Sequence, residues 1–384
     1  MLLKLLFRNA FRHKLRNTLT VCGMCIAILA FGMLRTVISA WYAGVEASST
    51  SRLITRNSIS LVFPLPLSYR DKIRGVEGVK TVSYGNWFGG IYIEEKNFFA
   101  NFAVDPKTYL ELYPEYIIPV EQKEIFLRDR KACVVGAKLA KRFGWEIGDN
   151  ITLKGTIYPG NWEFVLRAIY TGRDKTTDQS QFFFHWDYLN ESLRKIAPSR
   201  ADKVGFYIVG LTNPDLAART AADIDNMFKN SFAETLTETE KAFQMGFVSM
   251  SEAIITAIKL VSLVIIVIIM AVVANTMVMS VRERMGEYAV FKTLGFGPFF
   301  LAGMILGESL VIACLGGGIG ILLTFPLAKA FGQAVGDWFP VFNVARETIV
   351  MDAAAAVSVG IIASVFPAWR AIHVGIAEGL RRVG

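Results

Sequence analysis

The sequence predicts an α-helical membrane protein with four transmembrane helices and a large α+β extracytoplasmic domain of two lobes between helices 1 and 2. Hydrophobic residues make up 53% of the 384 and charged residues only 19%, whereas soluble domains carry nearer a quarter charged residues. Four stretches almost free of charge each approach the ~20 residues that a bilayer demands. Roughly 200 residues of mixed strand and helix pattern separate the first stretch from the second.

Residues 1–17 read as a basic amphipathic segment carrying Lys4, Arg8, Arg12, Lys14 and Arg16 and no acidic residue. The first span, 18–42, is interrupted only by Arg35. Arg16 and Arg35 lie 19 residues apart, ~29 Å of helix, so Arg35 reaches the far interface and snorkels there. Trp41 and Tyr42 follow as an aromatic belt. A signal peptide is the competing reading, but the stretch is long and no small-x-small cleavage site follows it.

Residues 43–250 form the extracytoplasmic domain. Strands are expected over Ile59–Phe63, Gly90–Ile93, Phe98–Val104, Ala132–Val135, Asn150–Leu153, Glu163–Tyr170, Gln181–Trp186 and Val204–Leu211. Helices are expected over Pro106–Tyr113, Ala137–Phe143 and Asn213–Lys229, with a middle lobe near 125–190. Between 233 and 259 there is one glycine, Gly246, and no proline, so a helix is expected to run unbroken into the second span. Residues 43–56 also lack proline, and two helices side by side would make a stiff stalk.

The second span covers 251–281 and is followed by a loop at 282–298. The third span, 299–328, and a short loop, 329–348, lead to the fourth span, 349–369, framed by Asp352 and Arg370, and a tail, 370–384. Lysine and arginine bias sets the orientation. The N-terminal segment has five basic residues, the 282–292 stretch three and the tail three, against two in the 329–349 loop. Both termini and the 282–298 loop are therefore expected in the cytoplasm. The net charge of +8 is explained by this topology, so nucleic acid is not an expected partner.

No catalytic constellation is found. The histidines, His13, His185 and His373, are scattered, and no metal-ligand spacing, Gly-x-Ser-x-Gly or phosphate-binding Gly-x-x-x-x-Gly-Lys-Ser/Thr occurs. The run Phe182-Phe183-Phe184-His185-Trp186 reads either as a ligand platform or as a strand inside a core. In the spans, Glu308 needs a partner or a proton, and Asn275 is the expected hydrogen-bond partner. A proton relay and a polar tie between helices both fit this pair. Gly303/Gly307 and Gly316/Gly320 are Gly-x-x-x-Gly pairs, suited to packing within the chain or to dimerisation. Ser280–Gly297 is amphipathic, and its apolar Tyr288, Val290, Phe291 and Leu294 call for cover. A docking surface for a cytoplasmic partner satisfies both features.

Arg282-Glu283-Arg284 through Glu287, then Lys292-Thr293-Leu294-Gly295, Glu308 and the Gly316–Gly320 cluster together resemble the permease signature of the MacB/LolC/LolE/FtsX superfamily of ABC transporters. Pro367-Ala368-Trp369-Arg370-Ala371, continuing to Glu378-Gly379-Leu380-Arg381, resembles the closing motif of that family. Val104-Asp105-Pro106 and Val134-Val135-Gly136 to Gly148-Asp149 match in the outer domain. The departures are Tyr288-Ala289, where the family often has Ile-Gly, and Gly375-Ile376, where Asp-Pro is usual. The resemblance implies a permease of a bacterial inner membrane that binds no cofactor itself and works with a separate cytoplasmic ATPase holding ATP and magnesium. It also implies a second permease copy or paralogue, and it admits a periplasmic adaptor and an outer-membrane component. Arg282, Glu283, Arg284, Glu287, Tyr288, Phe291, Lys292, Leu294 and Gly295 are the residues it assigns to ATPase coupling. The expected work is export or extraction of a substrate by mechanotransmission. The alternatives are an FtsX-like regulator of cell-wall hydrolases and, from another class, a membrane receptor or scaffold.

Overall fold

The computed structural model describes residues 14–174, 176–334, 339 and 341–373. Most of the basic N-terminal segment and the motif at 374–384 lie outside the described residues. The chain divides into a unit holding residues 14–40, 251–334 and 342–373 and a unit made chiefly of Trp41–Met250.

In chain order the helices are α1 (Lys14–Ala47), α2 (Tyr69–Arg74), α3 (Pro106–Leu112), α4 (Val120–Arg128), α5 (Ala137–Phe143), α6 (Trp186–Ile196), α7 (Ala217–Met227), α8 (Glu240–Met250), α9 (Glu252–Glu283), α10 (Met285–Thr293), α11 (Pro298–Ala334) and α12 (Arg346–His373). Helices α1, α9, α11 and α12 are long and apolar enough to cross a membrane. Each outlasts the ~20 residues a bilayer needs.

The Trp41–Met250 unit is built on an 11-stranded sheet. Its longer strands are β1 (Arg52–Asn57), β2 (Val79–Trp87), β3 (Asn101–Val104), β4 (Ala132–Gly136), β5 (Asn150–Gly155), β6 (Gly160–Gly172), β7 (Phe182–His185), β8 (Phe206–Leu211) and β9 (Thr235–Thr239). They lie in the order β9–β1–β8–β2–β3–β7–β4–β6–β5, with Gly90–Ile91 beyond β5 and Tyr116–Ile117 pairing with β6. Among the described residues, only β3 with β7 and β4 with β6 pair in parallel. The expected middle lobe supplies β4 to β7, and β7 joins it to the rest through β3.

The Phe182–Trp186 run resolves as the core strand. Phe182 and Phe184 enter one apolar cluster with Phe88, Phe164 and Trp186, while Phe183 enters another with Tyr109, Phe126 and Tyr170. Side chains alternate across a pleat, and a strand covered on both faces reads as continuously apolar.

Three expected elements differ. Ile59–Phe63 forms turns, with Ile59 80% and Val62 86% exposed, and the strand is the preceding Arg52–Asn57. The helix expected over 233–259 is divided into β9, α8 and the start of α9, with Ser251 outside helical geometry at φ −103° and ψ 9°. The β-branched threonines decide the first change. Thr235 and Thr237 are buried, and Thr237 meets the Thr55 hydroxyl at 3.0 Å and donates to Asp225 at 2.8 Å, an arrangement that suits a paired strand. The helix expected over 43–56 is the third: α1 runs unbroken only to Ala47, and Arg52–Asn57 pairs as β1 instead.

In the membrane unit, small residues set the helix spacing. A Cβ on Gly316 would lie 2.6 Å from Met24 Cβ and 2.8 Å from the Val21 carbonyl, and one on Gly320 would lie 2.7 Å from the Cys25 carbonyl. This Gly-x-x-x-Gly pair therefore packs α11 against α1 of the same chain. Gly360 on α12 receives Ala313 in the same manner, and Ser309 donates to the Gly360 carbonyl at 2.7 Å.

In the other pair, Gly303 departs from the role in packing within the chain. Gly303 is exposed, a Cβ there would meet open space, and Gly307 one turn later is only half-buried. The cause is the rotation of α11, whose inward stripe in this stretch is Leu301, Met304, Ile305, Glu308 and Ile312. Gly303 falls beside that stripe, and no neighbouring atom lies within 4 Å of a Cβ placed there.

Candidate functional site

A buried polar arrangement gathers at α10, a nine-residue helix between two long apolar ones. Helix α9 stops at Arg284, whose φ of −107° and ψ of 14° turn the chain into α10. The buried Arg284 guanidinium donates from Nη1 to Glu308 Oε2 at 2.8 Å and from Nε to Glu287 Oε2 at 3.1 Å. Ser280 donates to the other Glu308 oxygen at 3.3 Å. Arg284 and Glu308 side chains are only 6% and 4% exposed, so a bend in one helix is fastened to the interior of another. A buried pair of this kind is maintained by geometry and completed hydrogen bonds rather than by bare attraction.

Two further contacts close the arrangement. Arg16 on α1 pairs with Glu283 at 2.7 Å, and Lys292 Nζ donates to the Ile372 carbonyl near the end of α12 at 2.8 Å. The start of α1, the end of α9, the whole of α10 and the end of α12 thus share one end of the bundle. Burial pushes the Tyr288 phenol up to about 12, against the opposing pull of Arg284.

The structure revises the expected partner of Glu308. Asn275 is exposed and does not contact it; five residues along α9 place Asn275 ~140° around the helix from Ser280. Glu308 lies level with Ser280 and Arg284, at the end of the bundle that holds α10. Of the apolar groups expected to need cover, Tyr288 is buried by the bundle and Phe291 packs on Phe296 and Phe300 at 5.5 and 6.5 Å between ring centres. Val290 and Leu294 remain 46% and 69% exposed, and Phe296 and Phe299 extend that surface. Gly295 closes the helix at φ 89°, a conformation that costs glycine little. Arg282 is exposed.

Sequence reasoning missed the Arg284–Glu308 pair. Arg282, Arg284 and Lys292 are all in reach along the chain, and only the bend after Glu283 selects Arg284.

Residues 259–376 match the FtsX-like permease C-terminal family. An uncharacterized ABC transporter permease of Methanocaldococcus jannaschii is 26% identical over 98% of this chain and 96% of its own length. The macrolide export ATP-binding/permease protein MacB of Hahella chejuensis is 31% identical over 29% of this chain and 16% of its own length. The periplasmic region of MacB from Actinobacillus actinomycetemcomitans superimposes with a TM-score of 0.39 and 8% identity over 53% of this chain and 95% of that one. Residues 259–376 thus carry an FtsX-like permease domain, and the chain as a whole is similar to ABC transporter permeases, MacB among them.

Proposed function

We propose that the exposed face of α10 receives a separate cytoplasmic ATPase, and that this permease passes the ATPase's motion through its long helices to the domain between α1 and α9. The observation that carries the reading is a helix held rigidly on one side and left apolar on the other. Arg284 and Lys292 fasten α10 to α11 and α12, while Val290, Leu294 and Phe296 stay uncovered. Large apolar groups left uncovered beside a polar rim mark an interaction surface. No phosphate-binding loop occurs in these 384 residues, so nucleotide and magnesium are assigned to the companion.

The unbroken α1 would serve as one transmitting rod, and the α8–α9 pair, jointed at Ser251, as a second. The work done is export or extraction of a substrate from a bacterial inner membrane, with both termini and α10 on the cytoplasmic side. A second permease copy or paralogue completes the complex, and a periplasmic adaptor with an outer-membrane component extends it.

The test is Leu294→Asp in the complex purified from native membranes. The wild-type chain should bring down a nucleotide-hydrolysing subunit, and the variant should lose it or leave its hydrolysis unresponsive to substrate. Unchanged binding and coupled hydrolysis in the folded variant would remove α10 from the mechanism.

A further inference from the structure

At the end of the bundle away from α10, a second acidic residue is buried without a partner. Asp352 on α12 is 1% exposed, and neither of its carboxyl oxygens has a hydrogen-bond partner. It faces α1 at Gly32, where a Cβ would lie 2.6 Å from Asp352 Oδ2 and 3.1 Å from Thr324 Oγ1, so the carboxyl and the α11 hydroxyl crowd one point. The neighbouring hydroxyls have their protons committed elsewhere. Thr324 donates to the Gly320 carbonyl at 2.9 Å, and Thr36 donates to the Gly32 carbonyl at 2.7 Å. Thr324 therefore offers oxygen lone pairs and no proton.

An ionised carboxylate needs donors. Taking it out of water without them costs several kcal/mol. A neutral carboxylic acid avoids that cost, and the Thr324 hydroxyl beside it has no proton left to give a carboxylate. The surroundings thus suit the acid form.

One positive group stands close by. Arg35 on α1 is the charge that acts on Asp352, and its Nε is buried with no hydrogen-bond partner. Among the described residues, the other charged groups at this end of the packed helices, Glu252 and Lys259 on α9, Lys329 on α11, and Arg346 and Glu347 on α12, are exposed. Depth agrees with the pairing. Arg35 stands ~29 Å from Arg16 along α1, and Asp352 ~27 Å from Arg370 along α12, each about one hydrocarbon thickness.

We propose that Asp352 is a proton-binding site of the membrane unit, a carboxylic acid in this conformation, whose proton and Arg35 compete for the same oxygens. When the proton leaves to water, the carboxylate takes the Arg35 guanidinium as its counter-ion and ties α1 to α12. When the proton returns, the tie is released. The site rests on the bundle alone and is independent of the ATPase reading.

The experiment is isotope-edited infrared spectroscopy of the full chain in lipid nanodiscs, stepped from mildly acidic to mildly alkaline buffer. Wild type should show a protonated-carboxyl C=O band that disappears in a single one-proton step. Asp352→Asn should lack the band, Asp352→Glu should move it, and Arg35→Gln should keep it into more alkaline buffer. No protonated-carboxyl band at any pH where the chain is folded would overturn the proposal, as would a band untouched by Asp352→Asn. A band that titrates identically in Arg35→Gln would overturn the competition with Arg35.

Discussion

Replacing Glu308 by alanine strands the guanidinium of Arg284 inside the bundle. The two groups are 2.8 Å apart with 6% and 4% of their side chains exposed. Removing one partner from such a pair costs about 3–5 kcal/mol. Arg284 keeps Glu287 at 3.1 Å and the Tyr288 ring at 5.5 Å, which places the expected loss at the lower end, about 3 kcal/mol. That corresponds to roughly a hundredfold change in the folding equilibrium. The double variant Arg284→Met with Glu308→Leu removes both charges and keeps the volume, so it should cost about 1 kcal/mol or less. Equilibrium unfolding of the full chain in mixed micelles, run as a double-mutant cycle, measures the difference. A coupling energy below about 0.5 kcal/mol would mean that Arg284 reaches water on its own, and the picture of α10 bolted to α11 would be wrong.

Gly316→Ala should loosen α1 from α11 and lower stability by about 1–3 kcal/mol, because the added Cβ meets the Val21 carbonyl, which has no rotamer to yield; unchanged unfolding would refute the close packing. Glu240→Gln should cost about 2–3 kcal/mol in the same assay. Glu240 accepts from Arg52 Nε at 2.8 Å, Ser49 N at 2.7 Å and Tyr113 Oη at 3.2 Å, and an amide nitrogen cannot replace a carboxylate oxygen among donors. Burial holds the His185 imidazole below its ordinary range, with Nε2 2.7 Å from the Phe126 carbonyl. The unfolded chain therefore takes up this proton first as pH falls below about 6.5, and stability falls by at most about 1.4 kcal/mol per pH unit. His185→Gln should flatten that slope, and thermal unfolding across this range is the check.

The long helices were legible because a bilayer imposes one length and one composition on any segment that crosses it. Ala137–Phe143 was legible to the residue, since Gly144, at φ 67°, stops the helix where the sequence shows a glycine. β1 and β9 were not legible. Arg52 looks like a surface residue until Glu240 and Glu115 are brought to it from 188 and 63 positions away. Ile59–Phe63 misled in the opposite direction, since an apolar run promises a buried strand and these side chains stand in turns at the surface. Two glycine pairs of identical spacing could not be told apart either, because only the rotation of α11 turns Gly316 and Gly320 toward α1 and leaves Gly303 in the open. The motif marks out the 282–295 segment, but not which of its side chains face inward. Tyr288 and Arg284 face inward and Leu294 faces out because of how α10 is rotated, and that depends on the Glu308 contact from another helix.

The most direct measurement is a photo-reactive residue placed at position 294 in the full chain in its own membrane, with the cross-linked product identified by mass spectrometry. The account predicts a cross-link to a nucleotide-hydrolysing subunit, with a yield that changes between ATP-loaded and nucleotide-free states. Cross-links to lipid alone, or a yield indifferent to nucleotide, would contradict it.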